Sequence, residues 1–447
     1  MLSPQFVREN PEVVRRALAR RNTEAPLDEI LTLDAEWRQK LAELEALRAE
    51  RNAISKEIGE LSKLAKTADT KEAKHAEHRR SDLVARSSFL GERLGGLEAQ
   101  VRELEERLSN LLLEIPNVPA DDVPDGRDES GNVVVRQSGE PKAFDFEPKP
   151  HWEIGEALDI IDLERGAKLS GARFVVLKGA GARLARALIT WMLDVHTANG
   201  YREVYPPALL REENFRAGGW LPKFAENLFH DAEEDYWLLP TAEVALTNMH
   251  RDEILEADAL PINYVAYTPC FRREKTSAGR DVRGMKRVRQ FDKVEMYKFV
   301  EPEQSEVALE SLVQDAEGVC RALGIAHRVV QLCTGDLGFN AAKSFDLELW
   351  APGSGEWLEV SSCSNCTDFQ ARRANIRFRR EKRGPLEHPH TLNGSGLAIP
   401  RVLISVLENY QQPDGSVTVP DVLRPYMGGL ERITSQTSAA QKSISPT

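Results

Sequence analysis

The chain contains 447 residues, of which 41% are hydrophobic and 29% charged, and its formal net charge is -12. A chain of this length exceeds one average domain and predicts two or three domains. The acidic balance argues against indiscriminate nucleic-acid binding, and no stretch approaches the roughly 20 apolar residues that span a membrane.

The N-terminal segment, MLSPQFVRENPEVVRRALARRN, favours a cytoplasmic location over a targeting signal. It lacks the apolar core of a secretory signal. It contains several arginines, but the acidic residues Glu9 and Glu12 argue against a mitochondrial transit helix. We therefore expect a cytoplasmic protein without a membrane association.

Two heptad repeats dominate the region that follows. In the second repeat, apolar residues spaced alternately four and three apart form a coiled-coil seam of about four heptads. Its members are Leu90, Leu94, Leu97, Val101, Leu104, Leu108, Leu111 and Ile115. A less regular seam precedes it and comprises Ile30, Trp37, Leu41, Leu44, Leu47, Ile54, Ile58 and Leu61. With a polar segment between them, these repeats predict an antiparallel helical hairpin within residues 1–115.

The hairpin has two possible roles on pattern alone. It could dimerise the protein as a coiled coil, or it could reach along a large polymer as a rigid arm. At about 1.5 Å per residue, each arm would extend roughly 55 to 60 Å. Residues 51–80, at the expected tip, hold eight Lys and Arg against five acidic residues. This small excess of positive charge favours a polyanion.

The remainder of the chain divides by composition. Residues 116–141 are rich in Pro, Gly, Asp and Ser, which predicts a linker. Residues 142–430 mix helical segments with short strands and Gly-rich turns, which predicts the main globular domain. The polar residues 431–447 predict a disordered tail.

A basic segment stands out within this globular region. FRREKTSAGRDVRGMKRVRQFDKVEMYKF, residues 271–299, carries ten Lys and Arg against four acidic residues. Alternating apolar residues on both sides predict two strands joined by a basic loop. Arginine binds phosphate oxygens through a rigid, bidentate fork. We therefore expect this loop to bind a polyphosphate ligand, and the alternative is a run of charges that is only solvated.

Three further segments carry candidate functional residues. LLPTAEVALTNMH places Thr241 and Glu243 just before a helix, EWLEVSSCSNCTDFQARR places Glu359 in a short strand and Ser362 after it, and LNGSGLAIPRVLISVLENYQ places Arg401 near a helix start. Each has an ordinary structural alternative, such as a first-turn acid or a surface ion pair. Together they provide cations for phosphates, a carboxylate for Mg²⁺ and carboxylates for an ammonium group, which ATP-dependent acyl activation requires.

The five cysteines are scattered, as expected for reduced thiols. Only Cys363 and Cys366 have the spacing of a metal or redox motif. A structural zinc site needs a second pair of ligands, and the sequence offers no obvious one. We therefore expect these two cysteines to pack within a strand or loop.

These motifs resemble those of seryl-tRNA synthetases of the bacterial and organellar type, which are class II aminoacyl-tRNA synthetases. GYREVYPP, FRREKTSAGRDVRG with RQFDKVEM, and SGLAIPRVLISVLENY resemble the three class II motifs, and TAE resembles the serine-binding loop. The resemblance extends from the N-terminus through RPYMGG. It implies an α+β fold, with an antiparallel sheet flanked by helices and preceded by the N-terminal hairpin.

The resemblance also implies the site residues. The implied ATP contacts are Arg272, Arg273, Glu274, Val288, Phe291, Glu359, Val360, Ser361, Ser362 and Arg401. The implied serine contacts are Thr241, Ala242, Glu243, Arg272, Glu295 and Ser395. Catalysis is assigned to Arg272, Glu359 and Arg401, with Arg272 on the α-phosphate and Arg401 on the γ-phosphate. The resemblance further implies that Glu274 contacts the adenine side, that Phe291 stacks on adenine, and that Glu359 with Ser362 holds Mg²⁺ through the ATP phosphates.

The implied substrates are ATP, L-serine and tRNA(Ser), with tRNA(Sec) as an open second acceptor. The implied assembly is a homodimer through the segment ending in Pro206 and Pro207. The hairpin distinguishes the chain from the zinc-dependent archaeal form, so no zinc is expected. Two alternatives are an inactive synthetase-like interaction protein and an amino acid:carrier-protein ligase. The retention of Arg272, Glu359 and Arg401 argues against the first, and the long arm argues against the second.

Overall fold

The computed structural model describes residues 1–67, 70–256, 258–275 and 283–435. The helices of this part of the chain are α1 (Pro4–Glu9), α2 (Pro11–Arg20), α3 (Leu27–Thr67), α4 (Thr70–Leu112), α5 (His151–Ala157), α6 (Leu163–Ser170), α7 (Gly179–Ala198), α8 (Glu212–Ala217), α9 (Ala242–Asn248), α10 (Ser305–Ala322), α11 (Phe369–Arg373) and α12 (Ile399–Tyr410). Its strands are β1 (Val133–Ser138), β2 (Ile161–Asp162), β3 (Val176–Leu177), β4 (Arg202–Val204), β5 (Leu209–Arg211), β6 (His230–Asp231), β7 (Tyr236–Leu238), β8 (Ile254–Leu255), β9 (Ile262–Phe271), β10 (Gln290–Val300), β11 (His327–Gln331), β12 (Lys343–Ala351), β13 (Glu356–Asn365), β14 (Arg377–Phe378), β15 (His390–Ala398), β16 (Val417–Thr418) and β17 (Arg432–Ile433).

The chain folds into two compact units. The smaller unit comprises Leu2–Arg15 and Glu24–Ile115. The larger unit contains the chain from Pro116 onward together with Met1 and Arg16–Thr23. Arg21 is buried in the larger unit, where its guanidinium donates to the backbone carbonyls of Leu337 and Gly338, both at 3.2 Å.

The smaller unit is the predicted hairpin, formed by α3 (41 residues) and α4 (43 residues), which pack against each other. Its interior contains apolar side chains from both seams, flanked by ion pairs such as Arg48–Glu98 at 2.7 Å and Arg93–Glu43 at 3.3 Å. Late in α4, Leu112 is buried and Leu111 is only half-buried, which corrects one position of the second seam, whereas its last member, Ile115, is buried as predicted.

The polar segment between the two seams is also helical, up to Thr67 and again from Thr70, whereas the sequence predicts a connection there. Lys, Ala and Glu are strong helix formers, so the helices continue where large apolar residues are sparse. The small side chain of Ala76 is buried in this stretch. Ala68 and Asp69 lie outside the described residues.

The larger unit is built on a sheet of eight strands within the described residues, in the order β1-β11-β12-β13-β15-β10-β9-β4. Neighbouring strands are antiparallel except β4 and β9, which are parallel. Helices α7, α10 and α12 pack on this sheet in one large apolar core. This is the predicted α+β architecture.

Strand β10 shows how the sheet divides its side chains. Val294 and Met296 belong to the core under α7, α10 and α12. Tyr297 and Phe299 belong to a second core that includes residues of α9. Because successive side chains of a strand point to opposite faces, Lys293 and Glu295 lie on the same face as Tyr297. That face holds the candidate site.

The predicted linker contributes to the sheet, because Val133–Ser138 form β1 and pair with β11. The β-branched run Val133, Val134 and Val135 favours a strand, and the adjacent edge of the sheet provides its hydrogen bonds. At the other end of the chain, Ile433 is fully buried in β17, which pairs with β16. Residues 432–433 are therefore ordered, and residues 436–447 of the predicted tail lie outside the described residues.

All five cysteines are free and buried, and Cys363 packs in the main core, as the packing interpretation predicts. Among the described residues, no group of three or more His, Cys, Asp or Glu side chains is arranged to hold a metal ion. The expectation of no zinc stays a prediction. Of the helices in this part of the chain, none is long and apolar enough to cross a membrane.

Candidate active site

A cavity of about 240 Å³ opens on the sheet face that carries Lys293. Most of the sequence-predicted site residues line it, namely Thr241, Glu243, Arg272, Glu274, Val288, Phe291, Glu359, Val360, Ser362, Ser395 and Arg401. Six residues that were not predicted from the sequence also line it, namely Lys286, Arg287, Lys293, Asn393, Ala398 and Pro400. The fold thus brings segments separated by up to 160 positions around one space.

One end of the cavity carries an ion pair between Arg401 and Glu359. Arg401 lies in the first turn of α12, and its Nη1 donates to the backbone carbonyl of Glu359 at 2.7 Å and lies 3.0 Å from the Glu359 carboxylate. Partial burial raises the pKa of Glu359, but the charge and hydrogen bond of Arg401 outweigh it and leave the pKa below its ordinary value. Both groups are therefore charged at neutral pH.

A second carboxyl group, Asp346, lies behind Glu359. It belongs to β12, opposite Ser362 in the β12–β13 register. Burial, followed by the negative charge of Glu359, raises the pKa of Asp346 well above its ordinary value. Its Oδ1 atom is buried and has no hydrogen-bond partner within the described residues. Asp346 was not predicted as a site residue, although it alternates with apolar residues in SFDLELW.

Arg272 follows β9 and lies between two aromatic rings. Its guanidinium is 5.3 Å from the ring centre of Phe291 and 5.8 Å from that of Trp220. Its Nε donates to the carbonyl of Pro240 at 3.2 Å. The terminal nitrogens have no hydrogen-bond partner within the described chain, which leaves them available to an anionic ligand.

The predicted basic loop contributes its two ends to this site. Glu274 has a positive φ of 52°, and its Oε2 lies 3.8 Å from Arg287 Nη1. Both residues line the cavity. Lys286 also lines it and forms an ion pair with Glu356. Residues 276–282, the middle of the loop, lie outside the described residues.

The other end of the cavity contains Thr241, the N-cap residue of α9. Its Oγ1 accepts a hydrogen bond from the backbone N–H of Glu243 at 3.3 Å, which stabilises the helix start. The same hydroxyl accepts from Lys293 Nζ at 2.7 Å and donates to Glu295 Oε2 at 2.9 Å. Capping therefore places the TAE segment against the polar face of β10.

Glu243 is buried and held by Gln370 of α11. Gln370 Nε2 donates to Glu243 Oε1 at 2.5 Å. The orientation of the Gln370 amide is fixed because its oxygen accepts from the hydroxyls of Tyr297 at 3.0 Å and Thr391 at 2.7 Å. Burial, followed by the negative charge of Glu295, raises the pKa of Glu243 to about 7. Gln370 gives no signal in the sequence, where it lies within an ordinary helical segment.

Glu295 lies behind the cavity wall, and it is only 1% exposed. It forms an ion pair with Lys293, while its Oε1 has no hydrogen-bond partner within the described residues. The β10–β15 register places Glu295 opposite Ser395, which lines the cavity. Lys293 could have been predicted from the sequence, because it is a charged residue within a mostly apolar strand.

Besides Glu295, three other predicted residues do not line the cavity. Ala242 is fully buried in the core under α9. The Ser361 hydroxyl donates to the carbonyl of Ser395 at 2.5 Å and so joins β13 to β15. The Arg273 guanidinium lies 5.8 Å from the ring centre of Phe229. These residues support the walls of the cavity through packing and backbone contacts.

Comparison with known proteins identifies the family. A model of the seryl-tRNA synthetase N-terminal domain matches residues 1–119, and a model of the tRNA synthetase class II core domain (G, H, P, S and T) matches residues 224–410. A serine--tRNA ligase of Thermomicrobium roseum is 59% identical over 437 residues, which cover 98% of this chain and 95% of that protein. One of Dehalococcoides mccartyi is 56% identical over 429 residues, covering 96% and 99%.

Solved structures agree with these sequence matches. The crystal structure of seryl-tRNA synthetase from Pyrococcus horikoshii complexed with ATP has a TM-score of 0.87 and 38% identity, and the match covers 97% of this chain and 99% of that one. A prolyl-tRNA synthetase from Giardia lamblia, at 16% identity and a TM-score of 0.53, shares the fold alone. The chain therefore belongs to the serine--tRNA ligase family of class II aminoacyl-tRNA synthetases.

Proposed function

We propose that this protein activates L-serine with ATP and transfers the seryl group to the 3′ end of tRNA(Ser). The observation that carries this proposal is one cavity with an arginine-rich end, at Arg272 and Arg401, and a carboxylate end, at Glu243. ATP and the serine ammonium group need these opposite charges. Membership of the serine--tRNA ligase family supports the same assignment.

In the first step, a serine carboxylate oxygen attacks the α-phosphorus of ATP. The new O–P bond forms as the bond to the β-phosphate breaks, giving seryl-adenylate and pyrophosphate. No nucleophile of the protein is needed, so the site acts by positioning the reactants and stabilising charge. Arg272 is assigned to the α-phosphate and Arg401 to the γ-phosphate, while Phe291 offers a stacking surface for adenine.

The carboxylates at the Arg401 end fit a divalent cation. Glu359 is ionised, Ser362 lines the same cavity, and Asp346 has a buried carboxyl oxygen without a partner in the described chain. Mg²⁺ is held in proteins by one or two carboxylates together with substrate phosphates. We propose that Glu359 and Ser362 hold Mg²⁺ with ATP, where it offsets the phosphate charge.

The carboxylate end is proposed to recognise serine. Ionised Glu243 can accept the ammonium group, and the unpaired oxygen of Glu295 provides a further buried acceptor. Thr241 and Ser395 provide short polar groups for the serine hydroxyl. Because such a site leaves buried groups unpaired when alanine binds, it can favour serine by about 10⁴-fold.

In the second step, a terminal hydroxyl of tRNA attacks the seryl carbonyl carbon and AMP leaves. We propose that the catalytic domain, residues 142–430, performs both steps and that the hairpin domain, residues 1–115, binds tRNA. Lys and Arg near the hairpin tip support contacts with phosphates. The second acceptor, tRNA(Sec), stays an open possibility that charging assays with that tRNA decide.

We also propose a cytoplasmic homodimer. The segment after β4 supports this assembly, since Tyr205 is 83% exposed and Leu209 is 51% exposed on either side of Pro206 and Pro207. Apolar side chains exposed beside a sheet edge suit a protein interface. Sedimentation of the full chain tests the dimer, and Tyr205→Asp is expected to weaken it.

Serine-dependent ATP–pyrophosphate exchange tests the proposed activation step, and loading of tRNA(Ser) tests the transfer. We expect exchange with serine and background rates with alanine and threonine. Exchange without tRNA loading would favour an amino acid:carrier-protein ligase. Neither reaction in a folded protein would favour the inactive interaction protein.

A further inference from the structure

His151, the first residue of α5, lies in a buried hydrogen-bond network that reaches the basic loop. Both His151 and Glu408 of α12 are completely buried. The His151 backbone N–H donates to Glu408 Oε1 at 2.9 Å, and His151 Nδ1 lies 2.9 Å from the same oxygen. Ser354 donates to Glu408 through its backbone N–H and its hydroxyl, each at 3.0 Å. Glu408 is thus fixed by several donors.

The opposite ring nitrogen of His151 holds the loop. The backbone N–H of Met285 donates to His151 Nε2 at 3.0 Å. Since Nε2 accepts this hydrogen bond, the imidazole carries its proton on Nδ1, where it donates to Glu408. Gly284 has a φ of +77°, and a Cβ atom there would lie 2.2 Å from Nε2. The loop backbone therefore lies directly against the ring.

Along the chain, Met285 immediately precedes three residues that line the cavity. Lys286, Arg287 and Val288, which follow Met285, line the nucleotide end of the site. Arg401 Nε donates to the carbonyl of Lys286 at 3.3 Å. Arg401 and Glu408 are two turns apart on α12, so they share a helix face. One helix therefore fixes two consecutive loop residues, Met285 through His151 and Lys286 through Arg401.

We propose that His151 is a positioning residue for nucleotide binding. It makes no contact with the cavity, and it acts by holding Met285 so that Lys286, Arg287 and Val288 keep their places around ATP. This inference rests on the proposed function, because it takes ATP as the ligand. Its test therefore includes a measurement on the loop that does not depend on activity.

Two substitutions separate the two ring nitrogens. The amide of Asn reaches the position of Nδ1 and can still donate to Glu408, but it is too short to reach Met285. The amide of Gln is one methylene longer and can accept from the Met285 N–H. We expect H151N to raise the KM for ATP by about 10- to 100-fold and to leave the KM for serine near the parent value. H151Q is expected to stay near the parent in both.

Amide hydrogen exchange measures the contact directly. The Met285 N–H should exchange slowly in the parent and H151Q, and faster in H151N. Gly284→Ala tests the same contact with His151 intact, because its Cβ would displace the loop. Gly171→Ala is its control, since Gly171 also has a positive φ (+88°) but open space around it. We expect G284A, and not G171A, to raise the KM for ATP.

Several results would overturn the inference. These are equal changes in H151N and H151Q, parallel rises in the KM for ATP and serine, and faster Met285 exchange with an unchanged KM for ATP. If H151N does not fold, the comparison of G284A with G171A decides. If the parent shows no serine-dependent exchange, the proposed function fails, while Met285 protection and ATP binding at equilibrium still test the role of His151.

Discussion

The buried carboxyl group of Glu243 allows a prediction in which stability and activity change in opposite directions. In Glu243→Gln, the side-chain oxygen can still accept from Gln370, and Lys293 keeps its ion pair with Glu295. The substitution therefore removes a negative charge while retaining shape and one hydrogen bond. We expect E243Q to unfold at a higher urea concentration than the parent at pH 8.

The magnitude follows from the pKa of Glu243, which burial and Glu295 raise from an ordinary value of 4.5 to about 7. A folded-state pKa above the unfolded value means that the folded protein binds the proton more tightly. Stability from this group is therefore present below pH 4.5 and lost as the pH rises to about 7. At about 1.4 kcal/mol per pH unit, the loss amounts to about 3 kcal/mol.

Urea unfolding of parent and E243Q at pH 5 and pH 8 measures this difference. The exposed carboxylate Glu226 provides a control, because E226Q should change the unfolding free energy by less than about 0.5 kcal/mol at either pH. Serine-dependent exchange by E243Q should fall about 100-fold or more, since the ammonium group loses a buried charge partner. ATP binding should be unchanged.

Two outcomes would refute this reasoning separately. If E243Q is no more stable than the parent at pH 8, or if its advantage is the same at both pH values, burial does not penalise the Glu243 charge. If E243Q keeps serine-dependent exchange near the parent rate, Glu243 does not bind the substrate. In the parent, kcat/KM for serine should also decrease as the pH is lowered through about 7, because Glu243 becomes protonated.

Three further predictions concern the phosphates, the amino acid and the hairpin. Arg272→Ala and Arg401→Ala should each remain folded and lose about 3 to 4 kcal/mol of transition-state stabilisation; exchange near the parent rate in folded variants would contradict this. Glu295→Ala should reduce serine-dependent exchange far more than ATP affinity, and comparable exchange with alanine and serine in the parent would contradict a polar serine pocket. Replacing residues 40–102 with a short turn should leave a dimer that activates serine but loads tRNA orders of magnitude more slowly. A truncated protein that is monomeric, or that loads tRNA normally, would contradict this division of roles.

The sequence by itself predicted the hairpin and most of the cavity lining. Heptad spacing is a local property, since it places apolar side chains on one helix face wherever the helix lies. Thr241 and Glu243 were likewise recognisable as a helix start, and their resemblance to a serine-binding loop assigned them a role. The segments around Arg272, Glu359 and Arg401 carried enough specific chemistry to predict one nucleotide site before any contact was known.

The tertiary structure decided which groups support that site. Gln370 lies 127 positions from Glu243, and His151 lies 134 positions from Met285. Asp346 reaches the site only through the β12–β13 register. An isolated Gln, His or Asp in a sequence is compatible with many surroundings, because its role depends on burial and on the partner that satisfies its hydrogen bonds. Those two conditions arise only when antiparallel strands and packed helices bring distant segments together.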